Sequence, residues 1–275
     1  MTHQAALRVV VRMQYDPIFA DAVYRDPVAT LLPLGLGERE RGWLLAVDRR
    51  AFRHDPMKRR RTLHALVSEF KAAAALALLE TRRVGFLDAF FASPEFHRAI
   101  QERGSLAAAF ADYLLGARLR TPQLGDVVRL EATLARCRRE LAAAGGPDFA
   151  PPPIPPGGPT HIARAPGVAV GSFSPDALAA IQAVEHWLFE RSLMPIVALA
   201  DDAPALELPA PALAPPVRLG IVPTQAGISL VELEPALYDA ISRVDGPSVP
   251  AQRIGRALAA SLCEDEVLIA VPAPE

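Results

Sequence analysis

The chain has 275 residues, 51% of them hydrophobic and 22% charged, which is the balance of a folded protein with a sizeable core and excludes a disordered or fibrous chain. A formal net charge of −2 hides an asymmetry: residues 1–145 hold 23 Lys+Arg against 16 Asp+Glu, and the remainder holds 6 against 15. The two cysteines, Cys137 and Cys263, exclude a disulfide framework and a paired-cysteine zinc site.

The basic half fits either a solvated arginine-rich helical surface or an anionic partner, nucleic acid included. Met1 to Met13 lacks the apolar run and flanks of a signal peptide, and no stretch approaches the ~20 apolar residues of a membrane span. The expected location is cytoplasmic.

Along residues 1–145 the pattern is helix after helix. Asp55-Pro56 reads as a cap followed by proline at the first helical position. Leu63, Leu66, Val67, Phe70 and Ala74 then form one apolar stripe. Ser93-Pro94-Glu95 starts another helix, and Leu106, Phe110, Tyr113 and Leu114 mark a further stripe. Asp126 is expected to cap the last helix, lined by Leu130, Leu134, Cys137 and Leu141 and stopped at residues 144–146. Such stripes bury against one another most economically as a helical bundle.

Residues 146–160, GGPDFAPPPIPPGGP, read as a proline-rich linker, a semi-rigid spacer or a docking ligand. Beyond it the period changes. Val168 to Val170 is a strand candidate, Ser174-Pro175-Asp176 opens a helix, and Met194 to Ala200 is an apolar run expected as a buried strand. Val217 to Val222 and Ile228 to Leu233 read as strands around the turn Thr224-Gln225-Ala226-Gly227. Glu234-Pro235 starts a helix ended by Asp245-Gly246, Ser248 to Leu262 reads as another, and Val267 to Val271 closes as a strand. The expected fold is α+β: a helical domain over 1–145, the linker at 146–160, and an α/β domain over 161–275 with a winged-helix-like module at about 217–275.

The sequence has no GxGxxG, Walker loop, GxSxG elbow or HExxH. Leu34-Gly35-Leu36-Gly37 lacks a third glycine and a preceding strand, so it reads as a turn. His3, His54, His64, His97, His161 and His186 are scattered. His186 and Glu190 share a helix face, but a metal site needs three or four convergent ligands, and Asp201-Asp202 has no further ligand nearby. No motif marks an activated nucleophile. The expectation is a chain without a catalytic centre; an enzyme with a site assembled from distant residues is the alternative to test by metal analysis. The strongest charge feature is Arg49-Arg50, Arg53-His54 and Lys58-Arg59-Arg60-Arg61, at a helix start where the macrodipole disfavours positive charge. Guanidinium groups there suit carboxylate or phosphate recognition.

Two segments carry a resemblance, together spanning roughly half the chain. The run Asp26-Pro27, Leu34-Gly35-Leu36, Glu38-Arg39-Glu40, Trp43-Leu44, Val47-Asp48-Arg49-Arg50-Ala51-Phe52-Arg53, Asp55-Pro56, Arg59-Arg60-Arg61-Thr62-Leu63 and Leu66 resembles partner proteins of multinuclear non-haem iron oxidases that modify ribosomally made peptides. The run Ile228-Ser229-Leu230-Val231-Glu232-Leu233-Glu234-Pro235, with Ile241, Asp245-Gly246, Ile254 and Leu258, is similar to the winged-helix elements that bind the precursor's leader peptide. It departs from them in the strand candidate that follows its last helix.

The resemblance implies a leader peptide added as a strand to an open sheet edge. By that likeness the edge is Val217 to Val222, with Arg218, Leu219 and Ile221 on it and Arg253, Ile254 and Arg256 lining the groove. It also implies that iron belongs to the partner enzyme, that this chain holds no cofactor, and that Arg49, Arg50, Arg53, Arg59, Arg60 and Arg61 contact that enzyme. The alternative from a different class is a nucleic-acid-binding regulator with steeply salt-dependent affinity.

Overall fold

The computed structural model describes residues 3–53, 57–190, 194–200, 205–210, 214–224 and 227–273. The cap at Asp55-Pro56, His54, Asp201-Asp202, Gln225-Ala226 and the Arg53 side chain lie outside the described residues. The chain is mixed α+β with two small antiparallel sheets. It forms two compact units, Met1–Val128 with Ile181–Leu208, and Arg129–Ala180 with Pro209–Glu275. The division runs through two helices rather than through residues 146–160, which belong wholly to the second unit.

The first unit is helical. It contains α1 (His3–Tyr15), α2 (Pro17–Arg25), α3 (Pro27–Leu31), α4 (Glu38–Leu45), α5 (Met57–Glu69), α6 (Lys71–Thr81), α7 (Val84–Asp88), α8 (Pro94–Gln101) and α9 (Leu106–Gly116). Short polar side chains set the starts: Asp16, Asp26, Ser93 and Ser105 each accept a hydrogen bond from the backbone N–H three residues on. Proline follows directly after the first three, where its missing donor costs nothing. The stripe from Leu63 to Ala74 spans two helices, because the backbone leaves helical geometry at Phe70. Every residue from Ala72 to Leu78 is buried, so α6 is apolar all round and runs through the core rather than along its surface.

Around α6 lies an aromatic cluster. Phe70, Phe90, Phe91, Phe96 and Phe110 are fully buried, and their rings meet mostly edge to face at 5.1–5.5 Å. Met194 to Ala200 is not a strand: Pro195–Leu199 is a 3-10 turn packed on α6 and tied by Arg82 Nη1 donating to the Ala198 carbonyl at 2.7 Å. A short apolar run has no periodicity to separate the two, and Pro195 removes a donor that a ladder needs.

His97, on α8, is half-buried, with both ring nitrogens shielded from solvent and neither hydrogen-bonded among the described residues. Burial pushes its pKa below the usual histidine range, the Arg12 guanidinium lowers it further, and Asp16 opposes both. The neutral form is therefore favoured in the fold. Stability is expected to be full above the unfolded-state pKa of about 6.5 and to fall as pH drops through the lower folded value. Thermal melts on the acid side should show this slope, and His97→Gln should flatten it.

The second unit starts within α10 (Leu124–Ala143) and includes β1 (His161–Arg164), β2 (Ala169–Phe173) and the start of α11 (Pro175–Phe189). After Pro209 come β3 (Val217–Thr224), β4 (Gly227–Glu232), α12 (Pro235–Ser242), β5 (Val249–Pro250), α13 (Arg256–Glu264) and β6 (Leu268–Val271). Asp126 lies in the first turn of α10 rather than capping it, since Val127 N–H already bonds the Gln123 carbonyl. Ser248 to Leu262 is not one helix. It is β5, a 3-10 turn at Ala251–Arg253, and α13 beginning after Gly255 at φ +92.

Strands β5, β1 and β6 form one sheet and β2, β3 and β4 the other. Ile162, Val249 and Leu268 bury one face of the first against Val244, Ala259 and Leu262, and Ile154 of the proline-rich segment packs on the same core. The segment is thus anchored by a side chain rather than standing as a bare spacer.

Candidate functional site

The sheet of β2, β3 and β4 holds the strand expected from the sequence to receive a peptide. In the register, Leu219 faces Glu232, Ile221 faces Leu230 and Pro223 faces Ile228. On its other side β3 pairs with β2, Ile221 opposite Ala169 and Val217 opposite Phe173. Val217 to Val222 is therefore the middle strand, not a free edge. Leu219 and Ile221 are core residues, at 3% and 0% exposure, and cannot meet a peptide. Arg218 is exposed and its guanidinium lies 5.8 Å from the Tyr238 ring centroid. Arg253 and Arg256 are exposed around α13, while Ile254 packs on the unit's core. A cavity of about 570 Å3 in this unit, walled by Arg136, Glu140, Arg164 and Asp245, contains none of these six residues.

The edges of this sheet are β2 and β4, and β4 is the one that carries exposed large apolar side chains. Among the described residues its only strand neighbour is β3. Leu233 N–H donates to the Arg218 carbonyl at 2.8 Å, and the alternation of an antiparallel ladder then turns the backbone groups of Ile228, Leu230 and Glu232 outward. Leu230 and Val231 are 38% and 45% exposed, so this edge offers apolar side chains beside amides with no backbone partner among the described residues. β6 does not cover it, because β6 pairs with β1 in the other sheet.

The arginine cluster divides. Arg49 binds Asp21, with Nε donating at 2.9 Å. Arg59 pairs with Asp88, donates Nη1 to the Tyr15 carbonyl at 2.5 Å and stacks on Phe91. Both tie elements of the helical unit together, while the Arg49 side chain stays 45% exposed and that of Arg59 24%. Arg50 and Arg60 are exposed, with no side-chain partner among the described residues. Arg61 is exposed and has an interaction of its own. Arg60 and Arg61 lie in the first turns of α5, which carries no acidic residue there. Each such cation costs about 0.3–1 kcal/mol against the macrodipole.

Other candidate chemistry resolves locally. His186 Nε2 and Glu190 Oε1 sit 3.4 Å apart, both exposed, and no group of three His, Cys, Asp or Glu among the described residues could hold a metal ion. Cys137 is a free, buried thiol whose pKa burial pushes up to about 11, which disfavours the nucleophilic thiolate. No single helix among the described residues is long and apolar enough to cross a membrane. Against known proteins, no family model, curated protein or solved structure matches the chain.

Proposed function

We propose that the chain is a non-catalytic, cytoplasmic partner subunit that binds the leader of a ribosomally made precursor peptide and presents it to an iron-dependent peptide-modifying oxidase. The observation that carries this reading is the β4 edge, where outward amides at Ile228, Leu230 and Glu232 stand beside exposed Leu230 and Val231. A peptide strand laid there gains main-chain hydrogen bonds for affinity and alternate side-chain contacts for register. The succession of β2, β3 and β4 followed by α12, a 3-10 turn and α13 supports a winged-helix-like arrangement for this module. Arg218, Arg253 and Arg256 are exposed cations that suit acidic leader residues. Iron and the chemistry reside in the partner enzyme.

Coexpression with the products of neighbouring genes, capture on this chain and metal analysis of what is retained test the reading. Recovery of an iron-bearing enzyme, with iron absent from this chain alone, is expected. Capture of neither an iron enzyme nor a precursor peptide would contradict it. Leu230→Pro removes one outward donor and leaves the β3 ladder in place, as proline is tolerated on edge strands. It should weaken leader binding by up to about tenfold, the worth of one hydrogen bond. Leu230→Ala, which keeps the N–H, should lose less, as measured by calorimetric titration.

A further inference from the structure

The helical unit carries an apolar groove that the peptide reading does not use. Its volume is about 430 Å3, and its floor is Val67, Leu78 and Leu87, all nearly inaccessible. Its walls are Met57, Val84, Met194 and Ile196, which stay exposed, Ile196 to 55%. Walls this open suit an inserted side chain of another polypeptide better than an enclosed small molecule. Arg60, Arg61 and His64 of α5 stand at the same groove, and among the described residues no acidic one lines it. The occupant must therefore be apolar at its tip and negative around it.

The chain itself displays such an element. Phe189, at the end of α11, is 76% exposed, the ring of a large aromatic left in water. Glu185, one turn before it, and Glu190, next to it and paired with His186, are both exposed, and Arg191 follows in the sequence. The aromatic anchor matches the groove in polarity, and the Glu185 and Glu190 carboxylates are the groups that would meet its arginines. Only five residue steps of chain separate Phe189 from Met194 in the groove wall, a reach of at most roughly 18 Å. Anchor and receptor thus sit close together, as a two-fold interface requires: each copy offers the same patch and receives the same patch.

We infer that the groove receives the Phe189 end of α11 from a second copy of the chain, making a symmetric homodimer through the helical unit. Methionines in the wall adapt to the entering ring, and the Arg60 guanidinium meets the Glu185–Glu190 surface of the partner copy. This inference stands apart from the leader-peptide reading; either can fail alone.

Sedimentation velocity on the full chain over roughly 1–100 μM, the range of a modest dimer, tests it. A concentration-dependent dimer is expected, and Phe189→Asp and Ile196→Asp, both at exposed positions, should each leave a folded monomer. A charge swap then separates this contact from a general loss of surface hydrophobicity. Arg60→Glu alone sets acid against acid, and Glu185→Lys with Glu190→Lys sets base against base, so each homodimer should weaken by about tenfold or more. Mixing the two variants pairs the reversed groove of one with the reversed helix of the other and leaves a native pair on the second side of the two-fold, so the mixed dimer should re-form. A monomer at every concentration would overturn the proposal. So would a dimer indifferent to Phe189→Asp and Ile196→Asp, or variants that do not complement. A monomer whose Ile196→Asp variant alone loses binding to phosphatidylglycerol vesicles, or to a synthetic acidic amphipathic peptide, would assign the groove to that other occupant and overturn it too.

Discussion

Phe90→Ala is expected to lower the stability of the helical unit by about 3–5 kcal/mol, the range for emptying a closed aromatic site. Phe90 has no exposed surface, and its ring centroid lies 5.5 Å from Phe91, 5.3 Å from Phe96, 5.1 Å from Phe110 and 5.7 Å from Tyr113. No single neighbour can move in to fill the space without abandoning its own edge-to-face contacts, each worth about 0.5–1.5 kcal/mol beyond burial. A domain has only about 5–15 kcal/mol in total, so the variant should be partly unfolded at moderate temperature. Urea titration checks this, with Phe90→Leu as the control that empties less of the site and should lose less than half as much. A loss below about 1 kcal/mol for Phe90→Ala would mean that the cluster is looser than its geometry indicates.

Gly167→Ala is the second large effect, and it acts in the other unit. Gly167 has φ +82, and a Cβ there would stand 3.1 Å from the Cys137 carbonyl oxygen, 3.1 Å from Leu141 Cβ and 3.0 Å from Pro223 Cγ. The oxygen belongs to the backbone of α10 and cannot swing aside. Left-handed geometry costs a side-chain-bearing residue about 1–2 kcal/mol, and forced overpacking adds about 1–3 kcal/mol. Gly35→Ala is the matched control: φ is +77, but nothing lies within 4 Å of the added carbon. Its loss, read by the same denaturation curves, should stay near the conformational part alone, about 1–2 kcal/mol. Equal losses at the two glycines would contradict the close approach of β2's leading turn to α10.

These two positions also show what the sequence makes legible. The helices carried by Leu106, Phe110, Tyr113 and Leu114, or by Leu130, Leu134, Cys137 and Leu141, announce themselves by three- and four-residue spacing; Phe110, Leu114, Leu130 and Cys137 are buried and the others half-buried. Ser93 as a cap is equally plain. The break at Phe70 is not, because an apolar stripe continues through it and only the all-round burial of α6 demands a new direction. Strand β1 is four residues after a proline-rich segment, too short for alternation to register. Asp16-Pro17 carried the same cap signature as Ser93-Pro94 and could have marked α2.

The candidate site was half legible for a related reason. The alternation of Val217, Leu219 and Ile221 marks a strand, but whether that strand is an edge depends on β2, which lies more than forty residues earlier in the chain. Pairing over that separation leaves no local trace. The arginines behave alike: charge density is visible in the sequence, whereas the pairing of Arg49 with Asp21 and of Arg59 with Asp88 is a product of tertiary folding. What remains presented at α5 is Arg60 and Arg61, a smaller and more specific feature than the whole run.

The most direct test of the leader-peptide account is backbone amide exchange at β4, residue by residue, with and without synthetic leader peptides from short reading frames adjoining the gene. The account predicts that Ile228, Leu230 and Glu232, whose amides point away from β3, become protected when peptide is added, while Ser229 and Val231, already paired, change little. Protection that leaves these three outward amides unchanged, or that appears only elsewhere in the chain, would contradict strand addition at this edge.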